Sequence, residues 1–221
     1  MKKITAIIVA AGKGRRFGTI KQSCLLAGKP VLNWSLEKFQ AHPEVSEIIL
    51  VLGKEMPAEK YPGRYGKISA VVPGGKKRQD SVIAGFSKLN PGGTDIVLIH
   101  DGVRPLVSKD LISRIIAAAG ENGAAVPVIP LEDTIKKVRG DRVLGTVDRA
   151  GLCRVQTPQG FDYSILKSAF EKADKEVLSS TDEASLVEKL GQDIIAVPGE
   201  QRNIKLTTPL DIKIAEVFLA D

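Results

Sequence analysis

Apolar residues along this chain follow two alternating rhythms. Nearly unbroken β-branched and leucine runs occupy 4–10 (ITAIIVA), 46–52 (SEIILVL), 67–72 (KISAVV) and 95–100 (DIVLIH). Runs without polar alternation predict strands buried on both faces. Between them the period lengthens. The stretch 31–42 follows Pro30 and sets Leu32, Leu36 and Phe39 at helical spacing. Residues 81–89 predict a second helix, and 108–123 a third that opens at Ser108 and stops near Gly123. Segment 55–66 carries two prolines and two glycines and predicts an irregular crossover. Residues 124–130 (AAVPVIP) predict a strand that Pro127 pushes to a sheet edge or a strand end. Helices at 164–173, 181–191 and 209–220 and strands at 193–199 and 203–206 complete the pattern.

This alternation predicts an α/β fold, a mainly parallel twisted sheet with helices on both faces, as one domain over 1–221. One segment breaks the rhythm. Within 131–155, TIKKV and RVLGTV flank RGD and predict an inserted β-hairpin arm with little apolar surface of its own. A lone hairpin is marginal in water, so the arm must pack on something, a second subunit being one candidate.

Composition narrows the classes. Of 221 residues, 43% are hydrophobic and 26% charged, as in ordinary globular proteins. No run approaches a membrane span. The N-terminal apolar run is short and leads into a charged loop, so it reads as the first strand of a cytoplasmic protein and not as a signal peptide. Two separated cysteines, Cys24 and Cys153, give neither a disulfide framework nor a metal spacing. The net charge of +6 permits a nucleic-acid partner, but the basic residues are scattered and no aromatic residues interleave with them. A polyanionic small substrate fits the charge at least as well, and no nucleic-acid partner is expected.

Ligands of such sheets bind at the carboxyl ends of the strands. Three loops there carry chemistry. After the first strand, AAGKGRRFG matches no P-loop, and Phe17 occupies the place of the third glycine of a dinucleotide fingerprint. Gly12 and Gly14 let backbone approach phosphates, while Lys13, Arg15, Arg16 and Lys21 add mobile positive charge. That combination suits a triphosphate or a charged transition state. In PGGKKRQDSV, Gly74 and Gly75 admit a flat ligand, and Arg78 and Ser81 open the next helix, where a base or ribose could bind. In IHDGVRP, Asp101 ends a buried strand with Arg104 three residues on; it is the candidate ligand for Mg²⁺ or another divalent cation on a nucleotide, or else a turn cap paired with Arg104. Farther along, Thr134, Arg149, Thr157 and Lys205 offer donors for a phosphate and hydroxyls of a second substrate. No Ser-His-Asp, Cys-His or zinc-ligand spacing occurs.

Taken in order, AAGKGRRFG, KQ with GKP, GGKKRQDSV, HDGVRP, DTIK, TVDR, QTPQGF, TDEAS and NIKLTTPLDI resemble the 2-C-methyl-D-erythritol 4-phosphate cytidylyltransferases, which make an isoprenoid precursor in the non-mevalonate pathway. TVDR and TDEAS tilt the resemblance away from the sister ribitol-phosphate cytidylyltransferases. It implies a Rossmann-like nucleotidyltransferase that moves CMP from CTP to methylerythritol phosphate, releasing pyrophosphate. It implies that Ala10, Ala11, Gly12, Gly75 and Ser81 hold cytidine, that Arg16 and Lys21 brace the triphosphate, and that Asp101 lies by the ribose and Mg²⁺. Thr134, Arg149, Thr157 and Lys205 would hold methylerythritol phosphate, with Thr181 and Thr207 as lesser contacts. Arg149 would reach across a homodimer formed through the arm. Lys76 departs from the family, which often has an acidic residue there. Three other readings stand beside this one: a cytidylyltransferase for ribitol phosphate or another sugar phosphate, a nucleic-acid-binding protein and a non-catalytic nucleotide-binding subunit.

Overall fold

The computed structural model describes residues 2–12 and 21–220, Lys21 by its backbone. The order of elements is β1 (Ile4–Ala10), a 3-10 turn (Lys21–Ser23), β2 (Leu25–Leu26), β3 (Lys29–Pro30), α1 (Val31–Ala41), β4 (Val45–Leu52), a second 3-10 turn (Ala58–Lys60), β5 (Ile68–Pro73), α2 (Arg78–Phe86), β6 (Ile96–Asp101), α3 (Lys109–Asn122) and β7 (Ala124–Pro130). It continues with β8 (Ile135–Arg139), β9 (Arg142–Val147), β10 (Cys153–Val155), β11 (Gln159–Asp162), α4 (Tyr163–Lys175), α5 (Ala184–Glu188), β12 (Ile195–Pro198) and α6 (Pro209–Ala220).

The expected fold class holds. β1 lies between β4 and β6, β5 flanks β4, and all these ladders are parallel. β1 is buried almost throughout because side chains alternate across the sheet and both faces are covered. Ala6, Ile8 and Ala10 meet Leu32, Leu36 and Phe39 of α1 and Leu111, Ile112 and Ile115 of α3. Ile7 meets the opposite layer, with Val82 of α2, Leu166 and Phe170 of α4 and Leu186 of α5. Leu26, Val31, Val103, Leu206 and Ala215 form a third cluster beneath α6. Helix α3 starts as its sequence suggests: Ser108 Oγ accepts from Leu111 N–H at 2.9 Å, and Gly123, at φ 89°, ends the helix.

Four sequence expectations change. Pro127 lies inside the sheet and not at its edge. β12 runs parallel along one side of β7, while β10 and β11 run antiparallel along the other. The Pro127 carbonyl accepts from Gln156 N–H at 2.8 Å, where β10 has ended and β11 has not begun. The donor that proline lacks therefore faces a break already present in the ladder. Helix α2 begins at Arg78, earlier than expected, because the Asp80 carboxylate accepts from Lys77 N–H at 3.0 Å and caps the first turn. The helix expected over 181–191 contracts to Ala184–Glu188. Residues 203–206 form no strand. They are an irregular strap, tied by Leu206 N–H to the Val103 carbonyl at 2.9 Å.

β8 and β9 form a separate two-stranded sheet, closed by a turn in which Gly140 adopts φ 60°. Its surface is more apolar than the sequence reading allowed. Val138 faces Val143 across the ladder and Ile135 faces Val147, and Val138, Val143, Leu144 and Val147 are all exposed.

Candidate functional site

Loops after β1, β5 and β6 converge at the carboxyl end of the parallel strands. Gly74 lies so close to Ala11 that a Cβ on it would come within 2.1 Å of the Ala11 methyl. Both loops therefore need their smallest residues for that approach. Gly75 N–H donates to Ser81 Oγ at 3.1 Å, and Ser81 Oγ donates to the Lys77 carbonyl at 3.1 Å. Ser81 is buried, so its hydroxyl shapes the glycine turn from inside. Gln22 Nε2 donates to the Gly12 carbonyl at 3.0 Å and fixes the end of the β1 loop; sequence reasoning gave Gln22 no role. Ala10 is buried, Ala11 half-buried and Gly12 exposed. Gly14 and Arg16 lie outside the described residues, as does the Lys21 side chain.

Asp101 is the hub. Arg78 Nε donates to its Oδ1 at 3.1 Å, Lys205 Nζ meets Oδ2 at 2.7 Å, and Arg104 Nε stands 3.8 Å from Oδ2. Arg78 Nη1 also reaches both oxygens of Glu183 at 2.7 Å. Three cations thus face two carboxylates. Burial alone would lift the Asp101 carboxyl, but Arg78, Lys205 and Arg104 hold it well below the usual carboxylate range. Burial lifts the Glu183 carboxyl, and Arg78 pulls back only part of that rise. Burial lowers the Arg78 guanidinium, yet Asp101 and Glu183 more than reverse it. Burial also lowers Arg104, opposed by Asp101.

A second network holds this hub in place. Asp101 N–H donates to Thr157 Oγ1 at 3.1 Å. The Thr157 hydroxyl then has its proton for His100 Nδ1, 3.1 Å away, and His100 Nε2–H points at the Arg104 carbonyl at 3.2 Å. His100 is neutral in this chain of bonds, since burial drives it down to about 3. Thr157 sits in the break between β10 and β11, and its donor is spent inward and not offered to a ligand. Asn203 Nδ2 donates to the Thr157 carbonyl at 2.8 Å, and Arg104 Nη1 to the Asn203 carbonyl at 2.8 Å. Gln156 bonds the backbone of Glu200 and Asn203. The strap is thereby held with Lys205, 39% exposed, beside Asp101.

The other expected residues lie apart from this cluster. Thr134 and Arg149 are exposed, Thr134 just before β8 and Arg149 just after β9. Thr181 is exposed two residues before Glu183. Thr207 spends both its N–H and its hydroxyl on Asp211 Oδ2, at 2.6 and 2.9 Å, in the capping of α6. Asp101, the expected magnesium ligand, is engaged by cationic side chains in this structure. Each of its oxygens already faces a cation, and among the described residues no three His, Cys, Asp or Glu side chains gather as a metal set. The residues present do not fit a protein-held metal at Asp101.

Comparison with known proteins points one way. The family model for 2-C-methyl-D-erythritol 4-phosphate cytidylyltransferase matches residues 4–221. The protein of that name from Geobacter metallireducens is 41% identical over 227 residues, covering 99% of this chain and 98% of its own. Its namesake from Geobacillus thermodenitrificans is 43% identical over 223 residues, covering 97% and 96%. The crystal structure of the Thermus thermophilus protein of the same name superposes with a TM-score of 0.85 at 32% identity, covering 99% of this chain and all of that one.

Proposed function

Because the chain belongs to the 2-C-methyl-D-erythritol 4-phosphate cytidylyltransferase family, we propose a mechanism for its strand-end pocket as the seat of CMP transfer from CTP to methylerythritol phosphate. The protein is a nucleotidyltransferase of the non-mevalonate isoprenoid route. The product is 4-diphosphocytidyl-2-C-methyl-D-erythritol, and pyrophosphate leaves. The observation that carries the residue assignment is the cationic cage around Asp101, set next to the apposed Gly74 and Ala11 loops.

A phosphate oxygen of methylerythritol phosphate attacks the α-phosphorus of CTP. A new P–O bond forms, and the bond to the bridging oxygen of the β-phosphate breaks. The attacking phosphate is already ionised, so no strong base is required. Catalysis consists of alignment and cancellation of negative charge. The Ala10, Ala11 and Gly12 backbone and the Gly75–Ser81 turn receive the nucleoside. Arg16 and Lys21 neutralise the triphosphate as charge builds on phosphorus. Lys205 gives one of its three donors to Asp101, and the others face the acceptor phosphate. Arg104 and Arg78 add positive potential behind it. Thr134 and Thr181 are secondary contacts of the acceptor, whereas the Thr207 donors stay with Asp211 in the capping of α6. A divalent cation bound with CTP would supply further positive charge to the triphosphate, alongside Arg16 and Lys21.

The protein acts as a homodimer in the cytoplasm, each arm delivering Arg149 to its partner's pocket. The exposed apolar face of the hairpin supports this reading, since such a face is stabilised by burial against a second surface. Among the described residues no helix is long and apolar enough to cross a membrane. The test is pyrophosphate release with CTP, UTP, ATP and GTP, each against methylerythritol phosphate and ribitol phosphate. Release with CTP and methylerythritol phosphate is expected. Release with ribitol phosphate alone overturns the acceptor assignment.

A further inference from the structure

Glu183 stands out among the groups that the mechanism leaves unused. It is 0% exposed, so it touches no substrate. It occupies the N-cap position of the short helix α5, yet its side chain caps no backbone there. Both its oxygens instead take Arg78 Nη1 at 2.7 Å. Arg78 Nε is bound to Asp101 Oδ1 at 3.1 Å, and Asp101 Oδ2 is bound to Lys205 at 2.7 Å. Arg78 opens α2 three residues after Gly75, so one guanidinium spans the nucleoside turn and the acceptor side of the pocket. A guanidinium is planar, and two of its nitrogens fixed by two carboxylates leave it no freedom to rotate. Nη2 is then the nitrogen without a partner among the described residues.

We infer that Glu183 is a positioning residue for cytidylyl transfer: it locks the Arg78 guanidinium, and through Arg78 and Asp101 it fixes the direction in which Lys205 presents its charge. The inference rests on the functional reading above. Without the Glu183 charge, Arg78 is free to take both Asp101 oxygens in fork geometry and to displace Lys205 from Oδ2. The nucleoside turn, held by Ser81 and Gly74, does not depend on Glu183.

The test is a double-mutant cycle on pyrophosphate release with CTP and methylerythritol phosphate, using Glu183→Gln, Glu183→Asp, Arg78→Gln and the combined variants. A hydrogen bond between charged groups typically carries enough energy for roughly a ten- to hundredfold effect. Glu183→Gln is therefore expected to lower kcat/KM for methylerythritol phosphate by about that factor while the KM for CTP moves less than about threefold. Glu183→Asp, which keeps the charge, should recover most of the loss. In the Arg78→Gln background, Glu183→Gln should cost almost nothing further, because its effect passes through Arg78. A folded Glu183→Gln enzyme with near-normal kcat/KM overturns the inference, as does a loss that multiplies in full on the Arg78→Gln background. Should Glu183→Gln fail to fold, Glu183→Asp run through the same cycle decides on the same criteria. Silence of the unaltered enzyme overturns the functional reading, and this inference with it.

Discussion

At the scale of single residues, the pocket combines close backbone approach with concentrated charge. Gly74→Ala would drive a methyl into Ala11, and overpacking of that kind typically costs about 1–3 kcal/mol. We expect a lower unfolding midpoint in urea together with weaker CTP binding by calorimetry; an unchanged CTP affinity would remove the Gly74 contact from the nucleoside site. Arg16→Ala and Lys21→Ala should lower kcat on the order of 10²–10³-fold, far more than they weaken CTP binding. Near-normal turnover in either variant would strike that residue from the mechanism. Some of these residues were legible in the sequence. Gly75, Asp101 and Arg78 sit where strands end, and a strand end followed by glycine or aspartate is visible without a structure. Glu183 was not legible. Its partner Arg78 lies 105 residues away, and no local pattern marks a carboxylate that will be buried against it. The inward turn of Thr157 was hidden for the same reason, since its hydroxyl bonds depend on His100 and on the Asp101 backbone.

Among the elements, the central strands and the longer helices follow from local period, because β1 is apolar at every position but Thr5 and α3 carries its own cap and stop. The failures are tertiary. Pro127 reads locally as an edge signal, yet the break opposite it makes an interior position harmless. Residues 203–206 have strand-like alternation, but the Arg104 and Gln156 side chains satisfy that backbone in place of a neighbouring strand. The arm is the element on which the proposed dimer would turn. Glutamate at both Val138 and Val143 would place charge on its apolar face. We expect the dimer dissociation constant to rise at least about tenfold, measured by sedimentation, with loss of activity at the same concentrations. The role of Arg149 has a separate check. Mixing inactive Lys21→Ala and Arg149→Ala proteins should restore activity as subunits exchange. Mixed dimers seen by native mass measurement but still inactive would refute a shared site.

For the whole molecule, charge and burial set the response to acid and to polyanions. The chain has two histidines, and burial lowers both His42 and His100. The unfolded chain takes up these protons as pH falls through the ordinary histidine value near 6.5, and the folded chain does not. Their contribution to stability is therefore full above about pH 6.5 and declines below it; for His100 the decline continues toward about 3. The slope is at most about 1.4 kcal/mol per pH unit for each histidine. Asp101, held low, adds its own loss only below the ordinary carboxylate range near 4. Urea midpoints measured from pH 8 to 4.5 should be level at first and then fall below 6.5, and His100→Asn should flatten the fall. A profile level down to pH 4.5 would contradict the buried neutral histidines. The net charge of +6 should give no more than weak, sequence-blind nucleic-acid binding at physiological salt, and a tight complex in filter binding would reopen that reading. The order of synthesis matters at this scale as well. Lys205 and the Asn203 anchor belong to the strap, while the sheet that carries Asp101 is complete up to β11 long before them. A chain emerging from the ribosome folds from its leading end. If Lys205 has the proposed role, the scaffold can form while the reaction centre is still missing, and chemistry would begin only once the strap has arrived and crossed over the sheet.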